Sequence, residues 1–133
     1  MDGKGRIAVP ARHRELLNAA KVTQLTITKH PEGALMIFPQ PNWEPFRARV
    51  QALPMDSMGW KRMLLGNAME VEIDAASRVL VPPELRKSAS LDRDVLLLGM
   101  GPCFELWDAP TYEAYEARVR LSPMPESLKN FSI

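Results

Sequence analysis

Short apolar runs, each closed by a turn residue, are spaced along the whole chain. Residues 7–9 and 79–81 are β-prone triplets that end at a proline. Pro10 and Pro82 suit the first turn of a helix, where the missing N–H removes no hydrogen bond. The pattern therefore predicts a short strand followed by a short helix at two separate places in the chain.

Longer apolar runs predict further strands. Residues 25–28 and 35–38 flank a turn-prone polar stretch, which is typical of a hairpin. Residues 95–98 and 103–107 flank a second stretch rich in glycine. A run at 67–73 is also predicted to be a strand.

Two longer helices are predicted to follow the strand pairs, with Asn42 and Asp108 as candidate N-caps. Apolar and aromatic residues recur there at helical spacing, which indicates core packing. They are Trp43, Phe46, Val50 and Leu53 in the first helix and Tyr112, Tyr115 and Val119 in the second.

The chain repeats itself in sequence. Residues 2–10 (DGKGRIAVP) match residues 74–82 (DAASRVLVP) at an offset of 72, through a shared D-x-x-x-R motif that leads into Val-Pro. At an offset of 69, Pro41, Trp43, Phe46 and Val50 fall on Pro110, Tyr112, Tyr115 and Val119. Two matches in the same order indicate a duplication, with the change of offset in connections that tolerate insertions.

The repeat predicts an α+β fold of two related halves that share one core. We expect a first half at 1–53, a linking helix at 54–66, a second half at 67–121 and a C-terminal tail at 122–133. The second half has a strand ahead of its D-x-x-x-R motif and the first has none after Met1. We expect that the leading strand of the first half is missing from this sequence. A first half that folded without this strand would leave backbone groups of the neighbouring strand unpaired.

The composition is that of an ordinary globular chain, with 133 residues of which 46% are hydrophobic and 25% charged. The single cysteine, Cys103, excludes an intramolecular disulfide, and no apolar run approaches the ~18–20 residues that span a bilayer. The two histidines, His13 and His30, accompany no nucleophile pattern and no cluster of metal ligands. We therefore expect no enzyme activity, no metal and no cofactor.

The net charge of +1 hides an uneven distribution. Residues 1–66 carry a net charge of +5 and residues 67–133 a net charge of −4. Such an asymmetry between halves is typical of a surface that faces a polyanion, and chance placement of solvated charges explains it equally well.

The D-x-x-x-R motifs carry the chemistry. An Asp and an Arg four residues apart can pair across the turn, which is a structural use, and Gly5 lets the first turn close tightly. Alternatively, the first turn presents Lys4 and Arg6 to a polyanion, since Arg pairs with phosphate or with guanine O6 and N7. Residues 1–14 carry a net charge of +3 and residues 74–86 a net charge of zero, which favours the first turn as the anion site.

These residues resemble the MraZ family of bacterial transcriptional regulators of the division and cell-wall gene cluster. The likeness rests on DGKGRIAVP at 2–10, RMLLGNA at 62–68, IDAASRVLVP at 73–82 and FELWD at 104–108. The resemblance implies two AbrB-like, swapped-hairpin halves that form one barrel-like core with flanking helices. It also implies ring-shaped homo-oligomers that bind short direct repeats in promoter double-stranded DNA, in the cytoplasm at the nucleoid and not at a membrane.

Site residues follow from the resemblance by position. The implied DNA-binding residues are Lys4, Arg6, Arg12 and Arg14. The structural members of the paired motif are Asp2, Asp74 and Arg78. An AbrB-like antitoxin, or an oligomeric assembly module that binds no DNA, is the alternative, although an antitoxin usually has one short half and a disordered tail.

Overall fold

Within residues 1–131, which the computed structural model describes, seven strands and six α-helices follow one another. The strands are β1 (Arg6–Ala8), β2 (Gln24–Lys29), β3 (Leu35–Pro39), β4 (Met69–Glu72), β5 (Arg78–Leu80), β6 (Val95–Gly99) and β7 (Phe104–Asp108). The helices are α1 (Ala11–Ala19), α2 (Gln40–Gln51), α3 (Met58–Gly66), α4 (Pro83–Ser88), α5 (Ala109–Leu121) and α6 (Glu126–Lys129), with a 3₁₀ turn at Met55–Ser57 before α3.

The strands form two antiparallel sheets. One has five strands in the order β4-β2-β3-β7-β6, and the other is the pair β1-β5. At the centre of the first sheet Met36 of β3 faces Glu105 of β7, and in the pair Ile7 faces Val79. These facing residues are separated by 69 and 72 positions, which are the two offsets of the sequence repeat. The α+β class is therefore confirmed, but the described sheets do not close into a barrel.

The larger core lies between the two sheets. Ile7 and Val79 of the β1-β5 pair pack against one face of the five-stranded sheet, where Ile27 and Leu106 are fully buried. The helices α1 and α4 close the sides of this core with Leu17 and Leu85. Burying an aliphatic side chain of this kind contributes about 1.5–3 kcal/mol, so this layer fixes the β1-β5 pair to the sheet.

A second core covers the other face of the sheet in the first half. Phe38 of β3 packs with Trp43 and Val50 of α2 and with Leu64 of α3. Polar groups of the sheet on this side are also bonded, because Thr28 Oγ1 donates to the Leu64 carbonyl at 2.7 Å. The helix α3 therefore packs against α2 and against β2, which carries Thr28.

Of the two predicted N-caps of the long helices, one is correct and the other is wrong. Asp108 caps α5, since its carboxylate accepts hydrogen bonds from the amide and hydroxyl of Thr111 at 3.2 and 2.7 Å. The prediction for Asn42 is wrong: α2 begins at Gln40, and the Asn42 side chain donates to the Pro102 carbonyl at 2.8 Å. Pro39 sets the earlier start, because its fixed φ leads directly into the first turn.

Strands β2 and β6 of the five-stranded sheet differ in what pairs with their outer edges. The edge of β2 carries β4, a pairing that begins where the Ile73 amide donates to the Thr23 carbonyl at 2.9 Å. At the edge of β6, the Met1 ammonium donates to the Arg93 carbonyl at 2.6 Å, and no other strand among residues 1–131 pairs there. The expected absence of a leading strand stays a prediction.

Two kinds of feature are absent from the part of the chain that the structure describes. None of its helices combines the length and the apolar character needed to cross a bilayer. It also contains no group of three or more His, Cys, Asp or Glu side chains arranged to hold a metal ion.

Candidate nucleic-acid interface

The first D-x-x-x-R motif folds into a closed turn, here called turn 1 (residues 2–6). Asp2 Oδ1 accepts hydrogen bonds from the amides of Lys4 and Arg6 at 3.0 and 2.9 Å. Its Oδ2 accepts from Arg6 Nε at 2.8 Å. One carboxylate therefore shapes the backbone of the turn and also orients the guanidinium that follows it.

The second motif, turn 2 (residues 74–78), has the same bonds. Asp74 Oδ1 accepts from the amides of Ala76 and Arg78 at 2.9 and 2.8 Å, and Oδ2 accepts from Arg78 Nε at 3.2 Å. The fourth residue of each turn has a positive φ, +84° at Gly5 and +59° at Ser77. In both copies the Asp therefore braces the backbone of the turn and pairs with the Arg that ends it.

The hydrogen bonds also affect the ionisation of the two carboxyl groups. The backbone amide of Arg6 lowers the pKa of Asp2 below its usual value, with smaller contributions from the Lys4 amide and the Arg6 guanidinium. The pKa of Asp74 is lowered in the same way, first by the amide of Arg78. Both turns therefore hold an ionised Asp at neutral pH.

Strand pairing brings the two motif arginines to one surface. In the β1-β5 pair Arg6 faces Leu80, and Ala8 faces Arg78. Facing residues share a side of the pair, and alternate residues change sides, so these four point away from the core that Ile7 and Val79 enter. We name this surface the β1-β5 face (Arg6, Ala8, Arg78, Leu80). Its two arginines are diagonal neighbours across the strand pair, about 7–8 Å apart.

The β1-β5 face has cations at two diagonal corners and apolar side chains at the other two. The side chains of Arg6 and Arg78 are 28% and 39% exposed, although each is paired with its Asp. Leu80, which faces Arg6, is 52% exposed, and Ala8, which faces Arg78, is exposed as well. Lys4 extends the face from the tip of turn 1, and it forms no ion pair within residues 1–131.

Arg86 of α4 adds a cation that sequence reasoning missed as a site residue. Its guanidinium lies directly against Gly5, so closely that a Cβ at this position would come within 2.2 Å of a terminal nitrogen. The Arg86 Nε is buried, and no hydrogen-bond partner for it exists among the described residues. The glycine in turn 1 thus admits the guanidinium of Arg86, a positive charge additional to those of Lys4 and Arg6.

Helix α1 places its two arginines differently. Arg12 lines a groove with Ala8, and its Nε donates to His13 Nε2 at 3.2 Å. His13 in turn packs edge-on against Phe104, with ring centroids 4.7 Å apart. Burial, and secondarily the charge of Arg12, lower the pKa of His13, which favours the neutral ring as an acceptor. Arg14 is exposed on α1, with no side-chain hydrogen bond or ion pair in the described range.

The structure therefore places Arg6 and Arg78 on the β1-β5 face and Lys4 in the adjoining turn 1. Arg12 lies in a groove that Ala8 also lines, and Arg14 is exposed on α1. The alternation of residues 6–8 and 78–80 could have placed Arg78 beside Arg6 from sequence, once these strands were taken as partners. The approach of Arg86 to Gly5 had no comparable signal, because it depends on how α4 packs against turn 1.

The chain matches the model of a known protein family. The MraZ protein family, whose description calls it antitoxin-like, matches residues 1–59 and 64–129. The matched segments include both turns and all seven strands.

Curated relatives resemble the chain over nearly its whole length. A protein of Methylibium petroleiphilum is 61% identical over 132 residues, which are 99% of this chain and 90% of the relative. Proteins of Leptothrix cholodnii and Cupriavidus taiwanensis are 59% and 56% identical over 99% of this chain and 90% and 93% of their own lengths. Each of the three relatives carries the name transcriptional regulator MraZ.

Proposed function

Because the chain belongs to the MraZ family, we propose that it is a transcriptional regulator that binds double-stranded DNA through the β1-β5 face. The relatives are named as regulators of transcription, and a regulator of this kind acts on promoter DNA. We accordingly place it in the cytoplasm, at the nucleoid.

The observation that carries the proposal is the pairing of two Asp-braced arginines on one exposed surface. A fixed guanidinium is preorganised for the bidentate pattern of guanine O6 and N7, while Lys4 suits a phosphate. Arg86, beneath turn 1, strengthens the positive potential there without touching the partner. We assign base contacts to Arg6 and Arg78 and phosphate contacts to Lys4 and Arg12.

The finer architecture is part of the same proposal. We interpret the fold as two AbrB-like halves, supported by sheet registers that centre on residue pairs separated by the repeat offsets. The second half carries a net charge of −4 and is a poor partner for a polyanion, so a single chain offers one small basic surface. A ring of copies would present several such surfaces to direct repeats, and linked weak contacts raise the overall affinity steeply.

Fluorescence anisotropy with labelled duplexes tests the proposal. The probes are a promoter fragment with direct repeats and a scrambled duplex, each titrated at several salt concentrations. Arg6→Ala and Arg78→Ala should each weaken binding to the repeat by about 1–3 kcal/mol and reduce its discrimination from the scrambled probe. Lys4→Ala should weaken binding to both probes alike and lower the salt slope by about one.

Arg47→Ala is the matched control. Arg47 pairs with Glu44 at 2.7 Å and is 43% exposed, but it lies on α2, on the opposite side of the five-stranded sheet. This variant should bind both probes as the parent does. If Arg6→Ala and Arg78→Ala bind the repeat as tightly as the parent, the β1-β5 face is not the DNA-binding surface.

An antitoxin role is the second candidate, because the matching family is described as antitoxin-like. The two candidates differ in where a protein partner would bind. An antitoxin uses a segment beyond its DNA-binding part, and the chain has α6 and exposed Leu128 and Phe131 after α5. Co-expression with the neighbouring gene products, followed by purification, would give a stoichiometric complex only for the antitoxin.

A further inference from the structure

Leu80 is a large aliphatic side chain on the β1-β5 face that the proposed DNA contacts of the cations leave without a role. It is 52% exposed, whereas its neighbours Val79 and Val81 are 1% and 0% exposed. The alternation of strand β5 turns Leu80 away from the core, to the side that carries Arg6 and Arg78. A single exposed leucine is ordinary on a protein surface, so its meaning depends on what stands beside it.

Leu80 and Arg6 rise side by side from the strand pair. The Val81 amide donates to the Gly5 carbonyl at 3.0 Å, so Gly5 and Val81 form a hydrogen-bonded pair. Hydrogen-bonded and non-hydrogen-bonded pairs alternate along an antiparallel ladder. The next pair, Arg6 and Leu80, is therefore of the non-hydrogen-bonded kind, in which the Cα atoms are about 4.5 Å apart and the side chains are closest. A cationic group and an aliphatic group thus share one end of the face.

This pairing matches what the major groove of DNA displays. A two-stranded antiparallel ribbon fits that groove, in which guanine presents O6 and N7 to arginine and thymine presents a C5-methyl group to apolar side chains. Successive base pairs are about 3.4 Å apart along the axis, which is close to the separation of Arg6 and Leu80 across the strands. When Arg6 contacts one base, Leu80 therefore lies over a neighbouring base pair.

The sequence repeat shows that Leu80 breaks the symmetry of the face. At the offset of 72, Arg6 corresponds to Arg78 and Ala8 corresponds to Leu80. Each arginine consequently faces an aliphatic residue, which is Leu80 at the end near turn 1 and Ala8 at the end near turn 2. Leucine reaches two bonds further from the backbone than alanine. The two ends thus carry the same charge and differ in how far an apolar group extends towards a base.

The difference between the two ends gives the face a direction. A protein surface with two-fold symmetry reads a palindromic site, because both directions of the DNA are equivalent to it. Lys4 also differs from the residue at its offset, Ala76, but a phosphate contact carries no information on sequence. The Leu80 side chain can instead distinguish one base from another. Direct repeats require such a distinction, since every copy has to lie in the same direction.

We propose that Leu80 is a specificity-determining residue that contacts the C5-methyl group of a thymine in the major groove, beside the base that Arg6 contacts. The contact fixes the direction in which each copy lies on the DNA. The inference rests on the proposed function and adds an apolar base contact to the contacts of the cations.

Replacing thymine with deoxyuridine tests the contact, because it removes the methyl group and keeps the hydrogen-bonding groups of the base. Each thymine of one repeat is replaced in turn, and anisotropy titrations give the affinity. For the parent, one position should weaken binding about fourfold, the equivalent of one buried methyl group. At this position Leu80→Ala should bind the two duplexes equally, and Leu80→Met, which keeps an apolar side chain of similar length, should remain sensitive.

Two results would overturn this contact. One is a parent affinity that is unchanged when every thymine of the repeat is replaced. The other is an equal loss in Leu80→Ala, which would show that the missing methyl group alters the DNA and not a contact with the protein. Leu16→Ala, at a side chain that is 69% exposed on α1, is the matched control and should show the same loss as the parent.

Directed cleavage tests the orientation. The strands are antiparallel and each turn precedes its own strand, so turn 1 and turn 2 lie at opposite ends of the β1-β5 face. In a Cys103→Ser background, Gly3→Cys carries an iron chelate on turn 1, where a Cβ has no atom within 4 Å. On a saturated duplex with one repeat, this protein should cut one side of the repeat about four times more than the other. Adding Leu80→Ala should make both sides equal, and cleavage that stays one-sided would overturn the proposal.

Folding and assembly separate this inference from the proposed function. Leu80→Ala should keep the circular dichroism spectrum, the Tm and the sedimentation coefficient of the parent, because the side chain is half exposed. A change in multimer size would show that a protein surface covers Leu80, which would overturn the proposal. If Arg6→Ala loses repeat binding and the parent is insensitive to deoxyuridine, only the role of Leu80 is wrong. If Arg6→Ala binds the repeat as the parent does, the proposed function is wrong as well.

Discussion

At the scale of single residues, the Asp of each turn has two separable tasks. Asp2 Oδ1 holds the backbone amides of the turn, and Oδ2 holds the Arg6 guanidinium. Asparagine keeps the first task and loses the second, because its amide nitrogen cannot accept a hydrogen bond. We expect Asp2→Asn to retain DNA binding with less discrimination between repeat and scrambled duplex, and Asp2→Ala to lose binding to both. Anisotropy titrations at one salt concentration check this, and equal affinities for the two variants would contradict it.

The carboxylates of Asp2 and Asp74 also make part of the folding stability sensitive to acid. The folded pKa values of Asp2 and Asp74 lie below the ordinary value of 3.8, so the folded state favours their ionised forms. Their contribution to stability is complete above that value and is lost as the pH falls through the folded pKa values. The Tm of the parent should therefore decline below about pH 4. The decline should be shallower in Asp2→Asn/Asp74→Asn, and a curve parallel to that of the parent would show that these groups do not contribute.

Gly5 is the residue of turn 1 that tolerates change least. Its φ is +84°, and a Cβ would meet the Arg86 guanidinium at 2.2–2.7 Å. Gly5→Ala has to displace Arg86 and adopt a left-handed backbone, which costs about 1–2 kcal/mol. Gly3→Ala is the control, since its Cβ would have no atom within 4 Å. Chemical denaturation should give a lower midpoint for Gly5→Ala alone, and two equal midpoints would contradict the packing described here.

At the scale of elements, the outer edges of β2 and β6 occupy equivalent places in the two halves. The edge of β2 pairs with β4, whereas no strand of residues 1–131 pairs with the edge of β6. Leu25 of β2 pairs with Val71 of β4, and the equivalent residue of β6 is Val95. A prefix Met-Glu-Val-Glu fused directly ahead of Met1 would place its valine opposite Val95. We expect slower hydrogen exchange at the outward amides of β6, because they gain partners. A prefix with proline at the valine position should leave the exchange unchanged.

The element level is also where prediction from sequence succeeded and failed. The β-prone triplets and the hairpin runs became strands because their alternation and bounding turns are local properties. Asp108 became a cap and Asn42 did not, although both precede an aromatic helical stripe, because Pro39 starts α2 earlier. The prediction that both stripes enter a core was wrong for Leu53 and Val119, which are 40% and 49% exposed. Leu53 lies beyond the end of α2 at Gln51, and Val119 lies on α5, which has no buried residue.

In the candidate site, too, local features could be predicted from the sequence and features that depend on tertiary packing could not. The bonds of the two turns follow from a four-residue spacing and were predictable, whereas the contact of Arg86 with Gly5 depends on tertiary packing. The sequence also favoured the first turn alone, because net charge was counted along the chain. Strand pairing instead makes Arg78 a diagonal neighbour of Arg6, about 7–8 Å away.

At the scale of the whole molecule, the uneven charge explains why one copy should bind weakly and an assembly strongly. A single β1-β5 face offers few cations, and the acidic second half repels the same DNA. Linking copies turns the second contact into an intramolecular one, which raises affinity by 10²–10⁴ without a new contact, provided that geometry permits both contacts at once.

The geometric condition makes the spacing of the DNA repeats a test of the assembly. Adding about 5 bp between two repeats rotates one of them by half a helical turn, so that two faces of a rigid ring cannot reach both. Affinity should then fall to that of a duplex with one repeat, while adding about 10 bp should restore part of it because the repeats face the same side again. Arg6→Ala should bind all three duplexes equally weakly. Affinity that is indifferent to the added length in the parent chain would mean that each copy binds DNA on its own.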